Sequence, residues 1–238
     1  MKIMIVGASR GLGRALVDGL LGDGHTLIGV SRQRPGSLDA GLGAQLQWIA
    51  ADLARPVEAV EQIAREAPAG LDAVIYNLGV WEEKAFSDEY AFLDDADEAI
   101  VDMVNTNITA TILLLKRLVP RLLGSSKPQL ILTGSTSGLR QSGRPEVTFS
   151  ASKFALNGIA DALRESFREQ GLAVTALQLG YLNTQDGLSV PLADATARGE
   201  GELIPVHDVL TIVRALLSLS NVSFVRELVL PAIRDERF

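Results

Sequence analysis

Short apolar runs alternate along the chain with longer segments whose apolar residues recur at helical spacing. Each short run is bounded by turn-forming residues, which is typical of strands buried on both faces of a sheet. The runs are Ile3–Val6, Leu27–Val30, Leu46–Ile49, Ala73–Tyr76, Leu130–Thr133, Val174–Leu179 and Leu228–Leu230. The helical segments between them are Leu12–Leu21, Val57–Glu66, Asp97–Leu122, Phe149–Gln170 and His207–Leu219.

This alternation predicts an α/β fold with a doubly wound sheet. Each step from strand to helix to strand requires a crossover, so the seven strands should form a mostly parallel sheet with helices on both faces. No linker rich in proline, glycine or serine divides the chain, and we expect one domain over residues 1–238. Two connections, Trp81–Asp95 and Asn183–Leu203, exceed the usual loop length, so we expect them to be functional or mobile.

Composition narrows the classes of function. The 238 residues are 47% hydrophobic and 21% charged, which excludes a disordered protein. A net charge of −7 argues against a nucleic-acid partner or an anionic membrane surface. With no cysteine and two widely separated histidines, thiol catalysis is excluded and no metal site is expected. The first apolar run is too short for a signal peptide and no run is long enough to span a membrane, so we expect a cytoplasmic protein.

The negative charge is concentrated in one segment. Between Glu82 and Glu98 there are eight carboxylates and one lysine, so this segment carries the whole excess of negative charge. If the segment faces a substrate pocket, its acidic rim disfavours anionic substrates; if it faces away, it is a solubilising surface. Four aromatic residues in this region are candidates for a pocket wall, namely Trp81, Phe86, Tyr90 and Phe92.

A glycine-rich turn joins the first strand to the first helix. Glycines in such a turn let the backbone approach a pyrophosphate closely, and the helix N-terminus beyond them offers free N–H groups and a positive dipole end. We therefore expect a dinucleotide to bind at Gly7, Ser9, Arg10, Gly11, Leu12 and Gly13.

The residues after the second strand indicate which dinucleotide binds. An NAD site needs an acidic side chain there for the ribose 2′-hydroxyl, whereas a 2′-phosphate needs cations. This chain has Ser31 and Arg32, with Arg34 and Arg10 nearby. Because a guanidinium suits a phosphate, the sequence favours NADP(H) as the cofactor.

Further motifs follow in order along the chain. Asp52-Leu53 comes after the third strand, Asn77-Leu78-Gly79 after the fourth, Asn107 lies in the long apolar helix, and Gly180, Tyr181 and Thr184 follow the sixth strand. Together with the glycine turn, this set resembles the short-chain dehydrogenase/reductase family over essentially the whole chain. Tyr76 and Leu179 stand where the family has Asn and Pro.

The resemblance implies a Rossmann fold and a set of site residues. Cofactor contacts are implied at Asp52, Leu53, Asn77, Gly79, Lys153, Gly180 and Thr184, and an active-site role is implied for Asn107. The family pairs its long helix with that of a second copy, so the resemblance also implies a homodimer or homotetramer.

The chain departs from the family at the catalytic tyrosine. The family uses a Tyr-x-x-x-Lys pair, in which the lysine lowers the pKa of the phenol, and an upstream serine that holds the substrate oxygen. The corresponding pair here is Phe149 and Lys153, which the spacing of four directs to the same side of a helix. Ser135 fits the upstream Ser-x-x-Gly pattern, and Thr136 is the alternative.

Phe149 leaves three explanations open. A catalytic tyrosine has been replaced on purpose; or the protein uses another acid; or it keeps the cofactor site without redox chemistry. The substitute acids that the sequence offers are Tyr181, Thr148, Tyr76 and water.

The leading hypothesis is an NADP(H)-dependent oxidoreductase that interconverts a carbonyl and an alcohol on a small molecule. Its catalytic positions are Ser135, Phe149, Lys153 and Asn107. Two alternatives remain: an NADP(H)-binding sensor or interaction protein on the same scaffold, and a non-redox enzyme such as an isomerase or dehydratase.

Overall fold

Seven parallel strands form the central sheet in the part of the chain that the structure, a computed structural model, describes: residues 1–38 and 45–236. The predicted Rossmann-like α/β fold is confirmed, and every pair in the sheet is parallel rather than most of them. The strands are β1 (Lys2–Val6), β2 (Thr26–Ser31), β3 (Leu46–Ala50), β4 (Ala73–Tyr76), β5 (Gln129–Thr133), β6 (Ala173–Leu179) and β9 (Glu227–Leu230). A second, two-stranded sheet pairs β7 (Leu182–Asn183) with β8 (Ile204–Pro205).

Helices cover both faces of the sheet, as the crossovers predicted. The helices are α1 (Gly11–Gly22), α2 (Pro56–Glu66), α3 (Asp97–Val104), α4 (Ala110–Leu122), α5 (Val147–Ser166), α6 (Leu192–Gly199) and α7 (Val206–Ser218). Successive residues of β1 point to opposite faces: Met4 packs in one core with α2, α4 and α5, and Ile5 packs in the other with α1 and α7. This alternation explains why β1 is apolar from Ile3 to Val6.

The strand order places a crevice at the carboxyl edge of the sheet. The order is β3-β2-β1-β4-β5-β6-β9, so the chain direction across the sheet reverses between β1 and β4. In open α/β sheets, ligands bind at this switch point, outside the carboxyl ends of the strands. The connections that follow β1, β4, β5 and β6 all meet there.

The two long connections contain structure that the sequence pattern did not predict. Within the stretch Asn183–Leu203 lies α6, and β7 and β8 flank it. The helix was missed because it is short and only Ala195 and Gly199 are buried in it, so it shows no apolar stripe. The other connection contains a single 3₁₀ turn, Phe92–Asp94, before α3.

The predicted helix Asp97–Leu122 is one helical stretch with a wider turn inside it. Asn105–Thr109 forms a π-turn that links α3 to α4 without a break. Among the described residues this stretch alone is long and apolar enough to cross a membrane, a criterion that core helices of soluble proteins also meet. Leu114 and Leu118 are fully buried against the sheet, so the stretch serves as a core helix here.

Candidate functional site

The glycine turn after β1 packs directly against the connection after β4. Gly7 has a φ of +81°, and a Cβ there would lie 2.8 Å from the backbone oxygen of Asn77. A Cβ on Gly13 would lie 1.9 Å from the backbone oxygen of Gly7. Side chains are therefore excluded at both positions. No described side chain caps the N-terminus of α1, so its first N–H groups remain available to an anion.

The segment after β6 approaches the same turn from the other side. A Cβ on Gly11 would lie 3.2 Å from Cβ of Thr184, so these two predicted cofactor residues are neighbours. Gly180 packs against the C-terminal segment, where an added Cβ would come within 3.1 Å of Pro231 and 3.3 Å of Asp235. The structure thus brings the glycine turn, Asn77 and the segment around Thr184 to one crevice.

The end of β2 presents exposed cations beside this crevice. Arg32 and Arg10 are both exposed, while the Ser31 hydroxyl donates a 2.8 Å hydrogen bond to the backbone oxygen of Gln33. After β3, Asp52 is exposed and its neighbour Leu53 is buried in the core. Arg10, Arg32 and the carboxylate Asp52 are therefore all open to solvent.

Lys153 is buried among backbone groups at the centre of the site. Its Nζ donates to the backbone oxygen of Thr133 at 3.3 Å, and a Cβ on Gly79 would lie 3.2 Å from the same Nζ. The Nζ also lies 5.3 Å from the ring centroid of Phe149, so the pair points the same way, as its spacing predicted. Burial lowers the pKa of Lys153 to about 8.

This shift predicts a pH-dependent contribution to stability. Because the pKa of Lys153 falls from its ordinary 10.5 to about 8, the unfolded chain holds a proton between those pH values that the folded chain has lost. The unfolding free energy should therefore rise with pH across this window, by about 3 kcal/mol in total, as the cost of burying the charge disappears. Urea unfolding of the cofactor-free wild type and Lys153→Met checks this, since a pH-independent difference between them contradicts it.

Asn107 anchors the connection after β4. It lies in the π-turn, where its Nδ2 donates to the backbone oxygen of Val80 at 2.7 Å and its Oδ1 accepts from the N–H of Val80 at 2.9 Å. The same Nδ2 lies 3.1 Å from Oγ of Ser152 on α5. The side chain therefore ties α4 and α5 to the loop that lines the site, rather than pointing its amide at open space.

Ser135 has the more accessible of the two candidate hydroxyls. Ser135 is half-buried, whereas Thr136 is 4% exposed. The Ser135 Oγ accepts from the N–H of Ser137 at 3.1 Å and its own N–H donates to Oε1 of Gln178 at 3.0 Å. Its position is thus fixed by two hydrogen bonds, and the serine hydroxyl keeps its proton for a further acceptor.

An aromatic cluster surrounds Phe149. The ring of Phe86 lies edge-to-face against Phe149 at 5.2 Å and against Tyr181 at 5.7 Å between centroids. Trp81, which is 54% exposed, lies 6.5 Å from Phe149 at the outer side of the cluster. Two of the four aromatic residues predicted to form a pocket wall, Trp81 and Phe86, do reach the site. The Phe92 side chain is 43% exposed, and Tyr90 reaches the start of α5 instead.

The first carboxylate of the acidic segment points into the protein. Glu82 is 5% exposed, and its Oε1 accepts the N–H groups of Thr148 and Phe149, both at 3.0 Å. The Tyr90 hydroxyl accepts the N–H of Val147 at 3.2 Å. Glu82 and Tyr90 therefore cap three N–H groups at the start of α5 that have no acceptor within the helix. The segment's other carboxylates except the partly buried Asp95 are exposed to solvent: Glu83, Asp88, Glu89, Asp94, Asp97 and Glu98.

A second buried carboxylate holds the segment in place. Glu146 is 1% exposed and its Oε1 accepts the N–H of Phe86 at 2.8 Å. Phe86 has a φ of +67°, a left-handed conformation that is costly for a bulky residue. Burial, together with the charges of Asp95 and Glu82, raises the pKa of Tyr90 to about 12. The segment is thus docked on α5 by two buried carboxylates and a phenol.

Tyr181 is fixed by a buried ion pair. Arg144 Nη1 donates to the Tyr181 hydroxyl at 2.6 Å, and the guanidinium carbon lies 4.4 Å from the centroid of the Tyr181 ring. Arg144 also pairs with Asp235 at 3.2 Å, and both charged side chains are 3% exposed. The C-terminal segment therefore contributes a charge to the same edge of the sheet.

Sequence reasoning missed Glu82, Glu146, Arg144 and Asp235 as parts of the site. Each acts through a partner far along the chain, so no local spacing marks it; Arg144 and Asp235, for example, are 91 positions apart. One proposed acid is wrong: Tyr76 is 1% exposed within the core, where burial raises its pKa well above the ordinary range.

Comparison with known proteins agrees with the family resemblance that the sequence motifs indicated. Residues 1–190 match the sequence profile of a family described as short chain dehydrogenase. An NADPH-dependent pterin aldehyde reductase from Arabidopsis thaliana is 30% identical over 198 residues, which cover 77% of this chain and 75% of that protein.

Solved structures share the fold. A 4-hydroxyisoleucine dehydrogenase mutant complexed with NADH and succinate superposes with a TM-score of 0.80 at 19% identity, covering 100% of this chain and 99% of that one. An alcohol dehydrogenase from the archaeon Thermococcus sibiricus complexed with 5-hydroxy-NADP superposes with a TM-score of 0.76 at 21% identity, covering 98% and 97% of the two chains.

Proposed function

The chain belongs to the short-chain dehydrogenase family, and from this premise we propose that it is an NADP(H)-dependent oxidoreductase that interconverts a carbonyl and an alcohol on a small molecule. The observation that carries the proposal is the convergence of the glycine turn, Asn77 and the buried Lys153 at one crevice. These residues provide a backbone cradle and a positive charge, which are the features that a dinucleotide needs.

The residues present fit NADP(H). A Cβ would fill the cradle at Gly7 and Gly13, so the backbone there is shaped for close approach by another group. Arg32 and Arg10, both exposed beside the cradle, would hold a 2′-phosphate through charge-assisted hydrogen bonds. The pterin aldehyde reductase that resembles this chain is itself NADPH-dependent, which supports the same choice.

The remaining side chains suit carbonyl chemistry. When bound, the nicotinamide cofactor supplies or accepts the hydride. The Ser135 hydroxyl would hold the substrate oxygen, and the buried ammonium of Lys153 would stabilise negative charge that develops nearby. The hydrogen bonds of Asn107 would hold Val80 and α5 at fixed positions relative to each other, so that this wall of the site stays in place.

The aromatic cluster supports a flat substrate. Trp81, Phe86, Phe149 and Tyr181 offer ring faces and edges on one side of the crevice, which suits a planar aromatic or apolar carbonyl compound. Assembly into a homodimer or homotetramer and a cytoplasmic location stay predictions.

Phe149 favours a second candidate function. A phenylalanine cannot donate a proton, and it packs into an aromatic cluster that fills the space beside Lys153. A protein that binds NADP(H) as a sensor or interaction module, without turnover, would tolerate such a residue. The two functions differ in whether any carbonyl is reduced at the expense of NADPH.

Binding and turnover assays test the proposal. We expect calorimetry to show NADPH binding, and the absorbance of NADPH to fall when the purified protein is mixed with members of a panel of aromatic aldehydes and ketones. Binding without oxidation across the panel, in the wild type and in Phe149→Tyr, supports the sensor instead. Absence of binding contradicts both functions.

Cofactor preference should depend on Arg32. We expect Arg32→Ala to weaken NADPH binding about 10- to 100-fold and to leave NADH binding unchanged, because a charge-assisted bond to the 2′-phosphate is worth about 1.5–3 kcal/mol. Arg65→Ala is the matched control, since Arg65 is exposed in the last turn of α2, away from the carboxyl edge. Equal weakening of NADPH and NADH, or none, contradicts the assignment.

A further inference from the structure

Three tyrosines are candidates for the proton donor that Phe149 cannot be. Tyr76 lies in the core, and the hydroxyl of Tyr90 bonds the start of α5 and Asp95. Tyr181 differs from both, because it follows β6 at the carboxyl edge of the sheet and its side chain is half-buried. Tyr181 therefore lies at the edge of the sheet where the crevice is, which a proton donor to a bound substrate requires.

Arg144 prepares the Tyr181 phenol for proton transfer. The guanidinium donates to the phenol oxygen at 2.6 Å, so the oxygen is the acceptor in this bond. A neighbouring cation that donates a hydrogen bond stabilises the phenolate left after the proton departs. Asp235 stands behind Arg144 at 3.2 Å and fixes the guanidinium in this orientation.

The Tyr181 ring also faces the rest of the site. Phe86 lies between it and Phe149, touching both rings edge-to-face at 5.7 Å and 5.2 Å. The backbone of Phe86 is left-handed, with a φ of +67°, which is costly for a bulky residue. A substrate in that space would contact Tyr181 on one side and Phe149, with Lys153 beside it, on the other.

We propose that Tyr181, held by Arg144 and Asp235, is the general acid and base of this enzyme; the inference rests on the proposed carbonyl reduction. A bound NADPH would supply the hydride and become NADP⁺; as the carbonyl carbon gains that hydride, the C=O π pair would move to oxygen, which would bond to the proton of the Tyr181 hydroxyl. The phenol O–H bond breaks, and the phenolate accepts the hydrogen bond of Arg144 until water returns a proton. Alcohol oxidation runs the same transfers in reverse.

Phenolate absorbance tests the coupling without any substrate. In an alkaline titration, the phenolate step that disappears in Tyr181→Phe is that of Tyr181, and Arg144→Gln should move this step to higher pH. Arg140→Gln, an exposed arginine in the same loop, is the matched control and should leave it in place.

A second variant guards against misfolding. Arg144→Gln removes the buried cation that pairs with the Asp235 carboxylate, which is destabilising, whereas Arg144→Gln combined with Asp235→Asn removes both charges of the pair together. The double variant should also shift the phenolate step upward. A step that stays in place in both variants overturns the coupling.

Kinetics test the catalytic role. With a carbonyl that the wild type reduces, we expect Tyr181→Phe to lower kcat about 10²- to 10⁴-fold, to leave NADPH affinity unchanged and to abolish the pH dependence that the phenol imposes on kcat. Unchanged kcat in Tyr181→Phe overturns the inference and leaves the proposed function intact. If neither the wild type nor Phe149→Tyr reduces any carbonyl, the proposed function fails, and the role of Tyr181 fails with it.

Discussion

In a Tyr181→Phe background, Phe149→Tyr is expected to restore kcat by about 10²- to 10⁴-fold, the usual value of a positioned general acid. Lys153 Nζ already lies 5.3 Å from the ring centroid at position 149, and both residues lie on the same side of α5. A phenol placed there would stand beside the ammonium, whose charge favours the phenolate. Steady-state kcat for the four proteins of the double-mutant cycle measures this effect.

A phenol on the same helix but outside the site gives the control. Phe154 on α5 is 42% exposed, so Phe154→Tyr adds the same hydroxyl without bringing it to the crevice, and we expect no rescue from it. If Phe149→Tyr rescues no turnover while NADPH still binds, a phenol at position 149 does not deliver its proton to the substrate oxygen in this site.

Gly13→Ala is expected to abolish NADPH binding and to lower the unfolding free energy by about 1–3 kcal/mol or more. The added Cβ would lie 1.9 Å from the backbone oxygen of Gly7 and 3.0 Å from Nδ2 of Asn77. Both neighbours belong to the cradle, and the closer one is backbone, so the turn itself must move. Urea unfolding and calorimetry with NADPH measure the two effects.

Gly158→Ala separates this steric effect from that of adding a methyl group to any helix. Gly158 lies within α5 with open space around the position of a Cβ, so alanine there should stabilise the protein by about 0.5–1 kcal/mol. NADPH binding should be unchanged. Similar losses in the two variants would mean that the crowding of Gly13 against Gly7 is not what excludes a side chain.

The sheet and its order of motifs could be predicted because their signals are local. Strands such as β4 are buried on both faces and therefore read as apolar runs, and their predicted ends lie within a residue or two of the observed ones. Helix ends were less accurate. The last predicted helix residue before β6 was Gln170, but α5 ends at Ser166.

The start of α5 and the walls of the site depend on contacts that no local pattern reveals. The predicted start was Phe149, whereas the helix begins at Val147, because Tyr90 and Glu82 cap its N–H groups from more than fifty residues away. Arg144 likewise meets Tyr181 and Asp235 only through the fold. The pairing of Phe149 with Lys153 could be predicted from their spacing of four residues. The contacts of Arg144 could not be predicted, because its partners lie on separate segments of the chain.

The capping of α5 by the acidic segment makes the two parts dependent on each other. The residue that precedes α5, Glu146, gives the helix no side-chain cap, so Glu82 and Tyr90 supply what its own sequence lacks. A loop grafted from a relative would change the substrate wall and remove these caps in the same step. A replacement loop that is meant to alter selectivity must therefore carry its own acceptors for the first N–H groups of α5. Without them, the change in selectivity is accompanied by a loss of stability.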